Sequence, residues 1–250
     1  MYKDLKKLCL KIIATAACLL AITGLIGFVS GFLVAFGLYE EIPDSFEMPL
    51  GQLEGIAVDS NGNIYCGAQF YSRIQVYDME GRFLYGKCFD SDGGAFKIKI
   101  NSDGQLEVAT YRGKNKYIFS NDGTLLYNRS NDSSYLLGFE KINDYYCYDE
   151  KRDITYQIEP ILLPWPKSMP FLGSHVVKKD ASGTETVIIK TPFYKWLFMG
   201  PFPGFLFMFI GFPTYSIILG KKVKIKLLFW TIVGREKSGM RETEGVTRKN

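Results

Sequence analysis

The sequence predicts a mainly β domain of degenerate, propeller-like repeats flanked by transmembrane α-helices. Asp59-Ser60-Asn61-Gly62-Asn63-Ile64 returns 42 residues later as Asn101-Ser102-Asp103-Gly104-Gln105-Leu106, and Val76-Tyr77-Asp78-Met79-Glu80-Gly81 returns as Ile118-Phe119-Ser120-Asn121-Asp122-Gly123. Repeats of about 40–45 residues, with short strands between glycine turns, have the period of propeller blades. Ile12 to Leu38 runs 27 residues without a charged side chain, and a second apolar stretch follows the repeats at Phe193 to Leu219.

Taken in chain order, residues 1–11 carry four lysines against Asp4 and read as a basic cytoplasmic N-terminus. Residues 12–38 are the first transmembrane helix, since 27 residues at 1.5 Å span more than the ~30 Å of hydrocarbon. A cleaved signal peptide is the competing reading, but Ala14-Thr15-Ala16 comes too early and the apolar run is too long for a signal core. Residues 41–192 form the extracytoplasmic β domain. Residues 196–219 are a second transmembrane segment, with a helix beginning near Pro203, where proline is tolerated in a first turn. Pro213 and the short length leave a re-entrant segment as the alternative. Lysines at 221, 222, 224 and 226 follow at once. Basic residues beside a span stay cytoplasmic, so residues 220–250 form a basic cytoplasmic tail and both termini share one side of the cell membrane. Leu227 to Val233 reads as an interfacial stretch, and Gly234 to Asn250 as a loose tail. Gly24, Gly27 and Gly31 on the first helix, with Gly204 and Gly211 on the second, are small positions at which two helices can approach closely.

Splitting the charge removes one class of partner. The net charge of +4 belongs to the ends, because residues 40–192 hold 16 basic and 22 acidic side chains. An acidic domain does not neutralise phosphates, which excludes nucleic acid. His175 is the single histidine, so no histidine-based metal cluster can be built. No phosphate loop, nucleophile elbow or paired-carboxylate signature is legible, and no cofactor is expected. Asp59 to Asn63 resembles a calcium loop, but position 70 is Phe where the bidentate Glu belongs, so it reads as a β-turn. Of five cysteines, Cys66 and Cys147 align with Val108 by repeat offset and read as small core residues with free thiols. Asn128-Arg129-Ser130 and Asn131-Asp132-Ser133 match the glycosylation triplet. Pro164-Trp165-Pro166 marks residues 160–170 as an extended strap.

Leu53-Glu54-Gly55-Ile56-Ala57-Val58-Asp59-Ser60-Asn61-Gly62-Asn63-Ile64-Tyr65, continued by Ser72-Arg73-Ile74-Gln75-Val76-Tyr77-Asp78-Met79-Glu80-Gly81-Arg82-Phe83-Leu84, resembles one full repeat of the NHL family of β-propellers. The second unit, 96–127, keeps the glycine turns but has Asn115-Lys116 in place of Arg-Ile. A third, 139–158, has lost its Asp-Gly turn, and the hairpin 174–190 reads as half of a fourth. Some NHL-like propellers are metal-dependent lyases, a role that the resemblance does not transfer because the histidine ligands have no counterparts here. About three and a half blades fall short of a closed ring. The module therefore closes in degenerate form, is completed by a protein partner or a second copy, or stands open with unpaired edges.

The repeat places the turns between second and third strands on one rim: Gln69, Phe70 and Tyr71, then Tyr111 and Arg112, then Glu150 and Lys151. Exposed aromatic and arginine side chains suit partner contacts. The function expected from sequence is a membrane-anchored extracytoplasmic binding or sensing module without catalysis. The alternatives are a degenerate propeller enzyme of lyase or hydrolase class and an accessory subunit of a membrane complex.

Overall fold

The computed structural model describes residues 2–35, 42–51, 53–129, 139, 142, 144–160, 173–192, 194–196 and 200–218. The chain divides into two compact units, 1–19 with 210–250, and 20–209. Among the described residues of the second unit, twelve strands make three four-stranded sheets, each a simple antiparallel meander. Blade 1 holds β1 (Leu53–Val58), β2 (Ile64–Ala68), β3 (Arg73–Tyr77) and β4 (Phe83–Cys88). Blade 2 holds β5 (Phe96–Ile100), β6 (Leu106–Thr110), β7 (Lys116–Phe119) and β8 (Leu125–Arg129). Blade 3 holds β9 (Tyr146–Asp149), β10 (Ile154–Pro160), β11 (Ser174–Lys179) and β12 (Glu185–Lys190).

The 42-residue recurrence has a local cause. Asp59 Oδ1 accepts from the N–H groups of Asn61 and Asn63 at 2.8 and 2.9 Å, and Asn101 Oδ1 accepts likewise from Asp103 and Gln105. Each side chain thereby closes a tight turn that needs a positive φ, supplied by Gly62 at 91° and Gly104 at 78°. The calcium-like motif at 59–63 is thus a β-turn, and 101–105 repeats it.

Two apolar cores order the blades. Ala57, Tyr65, Ile74 and Val76 of blade 1 pack with Phe96, Ile98, Val108 and Phe119 of blade 2. From the other face of blade 1, Ile56, Ile64, Cys66 and Tyr77 pack with Tyr156, Ile158, Val176 and Ile189 of blade 3. Blade 1 is therefore the middle layer, with its first strand β1 against both β5 and β9. Last strands lie outermost, and all five residues of β8 are exposed.

The third unit and the hairpin expected to begin a fourth are one blade. Thr155 to Pro160 pair in register with Lys179 to Ser174, which joins β10 to β11 across the intervening sequence. Cys147 consequently lies on the first strand of its blade, whereas Cys66 lies on the second of its own, so the two are not equivalent. Cys66 is fully buried, and burial pushes its thiol well above the usual range.

Residues 42–51 bind the domain's entrance to blade 1. Arg73, completely buried, donates from Nη2 to the carbonyls of Pro43 and Phe46 at 2.9 Å each and from Nη1 to Cys88 Sγ at 3.2 Å. Gly86 opposite has no room for a Cβ, which would run into that guanidinium. This arrangement accounts for the Arg-Ile pair of the first repeat.

Helix α1 (Tyr2–Ala35) contains a 24-residue stretch, Lys7–Ser30, long and apolar enough to cross a membrane. Helix α2 (Pro201–Ile218) has 18 residues with Pro213 inside it, and its apolar part, Pro203–Ile218, is shorter. The strap at 161–172, the second glycosylation triplet, the basic run and the tail beyond 218 lie outside the described residues.

Candidate functional site

The first strands converge on a polar centre that local sequence did not reveal. In β1 the pairing with β2 slips between Leu53, opposite Ala68, and Ile56, opposite Cys66, so that Glu54 and Gly55 together face Gly67. That is a β-bulge, a device that re-aims a side chain out of the regular alternation. Gly55 makes it feasible with φ of 96°, and its N–H leaves the ladder to donate to the Asp144 carbonyl at 3.0 Å. Glycine at 67 is equally required, since a Cβ there would strike the Glu54 carbonyl.

Glu54, Asp144 and Lys97 meet at this bulge. Lys97 on β5 lies 3.4 Å from Asp144 Oδ2 and donates to the Ile142 carbonyl at 3.1 Å. Both members of this ion pair are largely buried, with side-chain exposures of 14% and 22%. Among the described residues, Glu54 Oε2 and Asp144 Oδ1 are shielded from solvent without a hydrogen-bond partner. Burial first, and the Asp144 carboxylate second, push the Glu54 carboxyl up to about 7, against the opposing pull of Lys97. The neighbouring Tyr145 phenol is raised by burial and by the same two carboxylates.

A carboxyl that changes charge near neutral pH, next to a fixed ammonium, can move a proton and stabilise developing negative charge. Paired carboxylates therefore exist after all, contributed by residues 90 positions apart. The readable signal was Glu54-Gly55 itself, because glycine inside a strand pattern marks a bulge. Among the described residues, no group of three or more His, Cys, Asp or Glu side chains is placed to hold a metal ion.

The rim residues expected from the repeat do not form one surface. Gln69, Phe70 and Tyr71 form a 3-10 turn between β2 and β3, where Tyr71 is buried at 3% exposure and unsuited to partner contact. Tyr111 and Arg112 join β6 to β7 and are exposed, with Arg112 donating to the Asp92 carbonyl. Glu150 and Lys151 lie instead between the first and second strands of blade 3, level with the β1–β2 turn, where Lys151 reaches the Ser60 carbonyl at 3.4 Å. The absence of glycine from the 149–153 turn had shifted the strand count by one. A separate depression of about 540 Å³ beside the blade 2 turns is lined by Asp103, Gln105 and Asp122. Asp122 is engaged there by Ser120 and the Thr124 N–H.

Of the helix positions, Gly24 and Gly204 lie backbone to backbone, a Cβ on Gly24 falling 2.6 Å from the Gly204 carbonyl. Gly27 and Gly211 are buried, and the side of Gly31 lies outside the described features.

No family model matches the chain. No curated protein matches it either. Solved structures similar to it include a streptogramin B lyase, at 13% identity over 57% of this chain and 42% of that one, with a TM-score of 0.30. Virginiamycin B lyase from Staphylococcus aureus is 12% identical over 61% and 60%, with a TM-score of 0.30. A putative gluconolactonase is 15% identical over 59% and 50%, with a TM-score of 0.27. The chain thus spans about half the length of these structures. All three are described as enzymes, whereas the sequence led to a non-catalytic binding or sensing module, and that expectation is corrected.

Proposed function

We propose that this chain is a membrane-anchored, propeller-like enzyme of the lyase or hydrolase class, working by acid–base chemistry at Glu54. The observation that carries the proposal is the bulge that turns Glu54 toward Asp144, with its carboxyl pushed up to about 7. A buried, half-satisfied carboxylate is costly in a purely structural strand, and such groups are concentrated at working sites. In this reading Glu54 takes a proton from substrate or from water. Lys97 holds the negative charge that develops, and Asp144 keeps the Glu54 carboxyl basic. The NHL-like repeat at 53–86 supports a propeller origin for the scaffold.

The same reading places α1 across the membrane, α2 as a second crossing, the β domain outside and both termini in the cytoplasm. Exposed Tyr111 and Arg112 then face the extracytoplasmic space as contact residues for substrate or a protein partner.

The test is turnover by the full chain in lipid nanodiscs on a panel of lactones, activated esters and β-elimination substrates. Activity should rise with pH through about 7 and fall at least ~100-fold in Glu54→Gln. Asp144→Asn should lower the inflection, since it removes a neighbouring negative charge, and Lys97→Met should raise it. Turnover untouched by Glu54→Gln refutes the assignment.

A further inference from the structure

The meander topology gives the β domain two unlike rims. In an antiparallel four-stranded blade the first and third strands start, and the second and fourth end, on the same rim. Glu54, Lys97 and Asp144 stand at or just before the beginnings of β1, β5 and β9, so the acid–base centre belongs to that rim. The chain also enters and leaves there: the Leu50 N–H donates to Thr191 Oγ1 at 2.6 Å, and Lys195 bonds Glu47 at 2.7 Å. Each of the six described hairpin turns on the opposite rim carries an aspartate: Asp59, Asp78, Asp103, Asp122, Asp149 and Asp180. Ionised carboxylates are costly to take out of water, so that far rim is the hydrated one. On the near rim Asp44, Glu47 and Asp144 are each paired with a lysine, while Phe46, Tyr111 and Tyr194 are exposed.

The helices set the height of the near rim above the hydrocarbon. Gly24, inside the apolar Lys7–Ser30 stretch, lies backbone to backbone with Gly204, and the rings of Phe28 and Phe205 are 5.5 Å apart beside them. From Gly204 toward the blades, N–H groups donate to carbonyls four residues back, Gly204 to Gly200, Gly200 to Trp196 and Trp196 to Pro192, at 3.4, 2.9 and 3.2 Å. Bonds of that spacing advance about 6 Å each, which puts Pro192 about 18 Å from Gly204. The apolar stretch of α1 ends at Ser30, about 9 Å beyond Gly24. The near rim thus stands about 10 Å from the hydrocarbon edge, at the height of the headgroups.

We infer that the substrate of the Glu54 centre is an amphiphile of the outer leaflet, an acyl ester or lactone, presented to the blades from the membrane. The inference rests on the acid–base reading of Glu54 and on α1 as a span. The ester carbonyl of such a molecule lies at the boundary of headgroup and hydrocarbon, within about 10 Å of the rim that holds Glu54, Lys97 and Asp144. Each added CH₂ strengthens residence in the leaflet, so a long-chain ester is concentrated beside this rim and a short-chain one is not. In the reaction Glu54 takes a proton from water as the water oxygen bonds the carbonyl carbon, with Lys97 facing the oxyanion. That proton passes to the leaving alkoxide as the carbon–oxygen bond breaks. The products are a carboxylic acid and an alcohol, or one hydroxy acid from a lactone. Tyr111, between β6 and β7, stands on the same rim, and tyrosine rings favour the headgroup layer.

The experiment uses the full chain in vesicles, with p-nitrophenyl dodecanoate and p-nitrophenyl acetate as substrates and Glu54→Gln as the blank. Spreading the same amount of dodecanoate through about ten times more non-hydrolysable ether lipid should lower its turnover about tenfold and leave the acetate rate unchanged. A second readout attaches bimane to Tyr111→Cys on the near rim or to Ala181→Cys on the far rim, each measured against the chain without the added cysteine. Lipid carrying a nitroxide on its headgroup should quench the label at 111 at least about threefold more than the label at 181. Equal or reversed quenching, dodecanoate turnover indifferent to dilution, or turnover of the acetate alone overturns the membrane-presented substrate. Failure of the acid–base reading shows differently: neither ester is turned over faster than by Glu54→Gln, and the substrate class falls with it while the quenching pattern stands.

Discussion

At the scale of single residues, Glu54 carries a consequence for stability as well as for chemistry. Its carboxyl is raised in the folded chain from 4.5 to about 7, so the folded state holds a proton that the unfolded state has released. Stability contributed by that group is complete below pH 4.5 and is lost as pH rises through 7. Glu54→Gln, permanently neutral, escapes the loss. It should match the native chain at pH 4 and exceed it at pH 8 by on the order of 2 kcal/mol in thermal unfolding of the full chain in detergent. Parallel behaviour of the two proteins across that range would mean that Glu54 is not buried as described. Arg73 makes the complementary point, since its position in the repeat was legible but its role was not. Four residues of a strap that the local pattern does not connect to it supply the carbonyls, at Ile42, Pro43, Asp44 and Phe46.

Among the elements, β1 and blade 3 show where local pattern succeeds and where it stops. Alternation and turn glycines placed the strands of blades 1 and 2, because side-chain period and positive φ are local properties. Blade 3 was misdivided because its first turn has no glycine: the left-handed residue is Asp153, at φ 55°, one position later than Gly62 and Gly104 in their turns. Aspartate tolerates that conformation, so the turn survives without its usual mark. The bulge in β1 depends on Gly67 in the partner strand, where a Cβ would also come within 2.8 Å of the Phe96 ring. Gly67→Ala should therefore lower stability by about 2–3 kcal/mol in urea unfolding and reduce turnover together with it. An alanine variant of native stability would show that the bulge can relax, and with it the aim of Glu54.

For the whole molecule, the distribution of charge and of apolar length matters more than any one contact. Exposed Leu19, Ile22, Leu25 and Ile26 line the outer side of α1, and Phe209, Ile210 and Phe212 that of α2. Such surfaces are costly in water at about 25 cal/mol per Å², and hydrocarbon removes that cost. The full chain should accordingly remain in the membrane pellet after alkaline carbonate washing. Sealed right-side-out vesicles should also leave its β domain open to external protease. Release into the carbonate supernatant contradicts the anchor.

Sequence by itself determined the strand-rich class, the 42-residue repeat, the acidic character of the domain and a helix long enough to cross a bilayer. Each follows from composition or from spacing within a few residues. Only the tertiary structure decided that the described strands group into three blades, that Tyr71 faces inward, and that Glu54, Lys97 and Asp144 share one centre. Those outcomes depend on strand partners far apart in the chain and on a register slip, and pairing across such distances is settled by packing rather than by local preference.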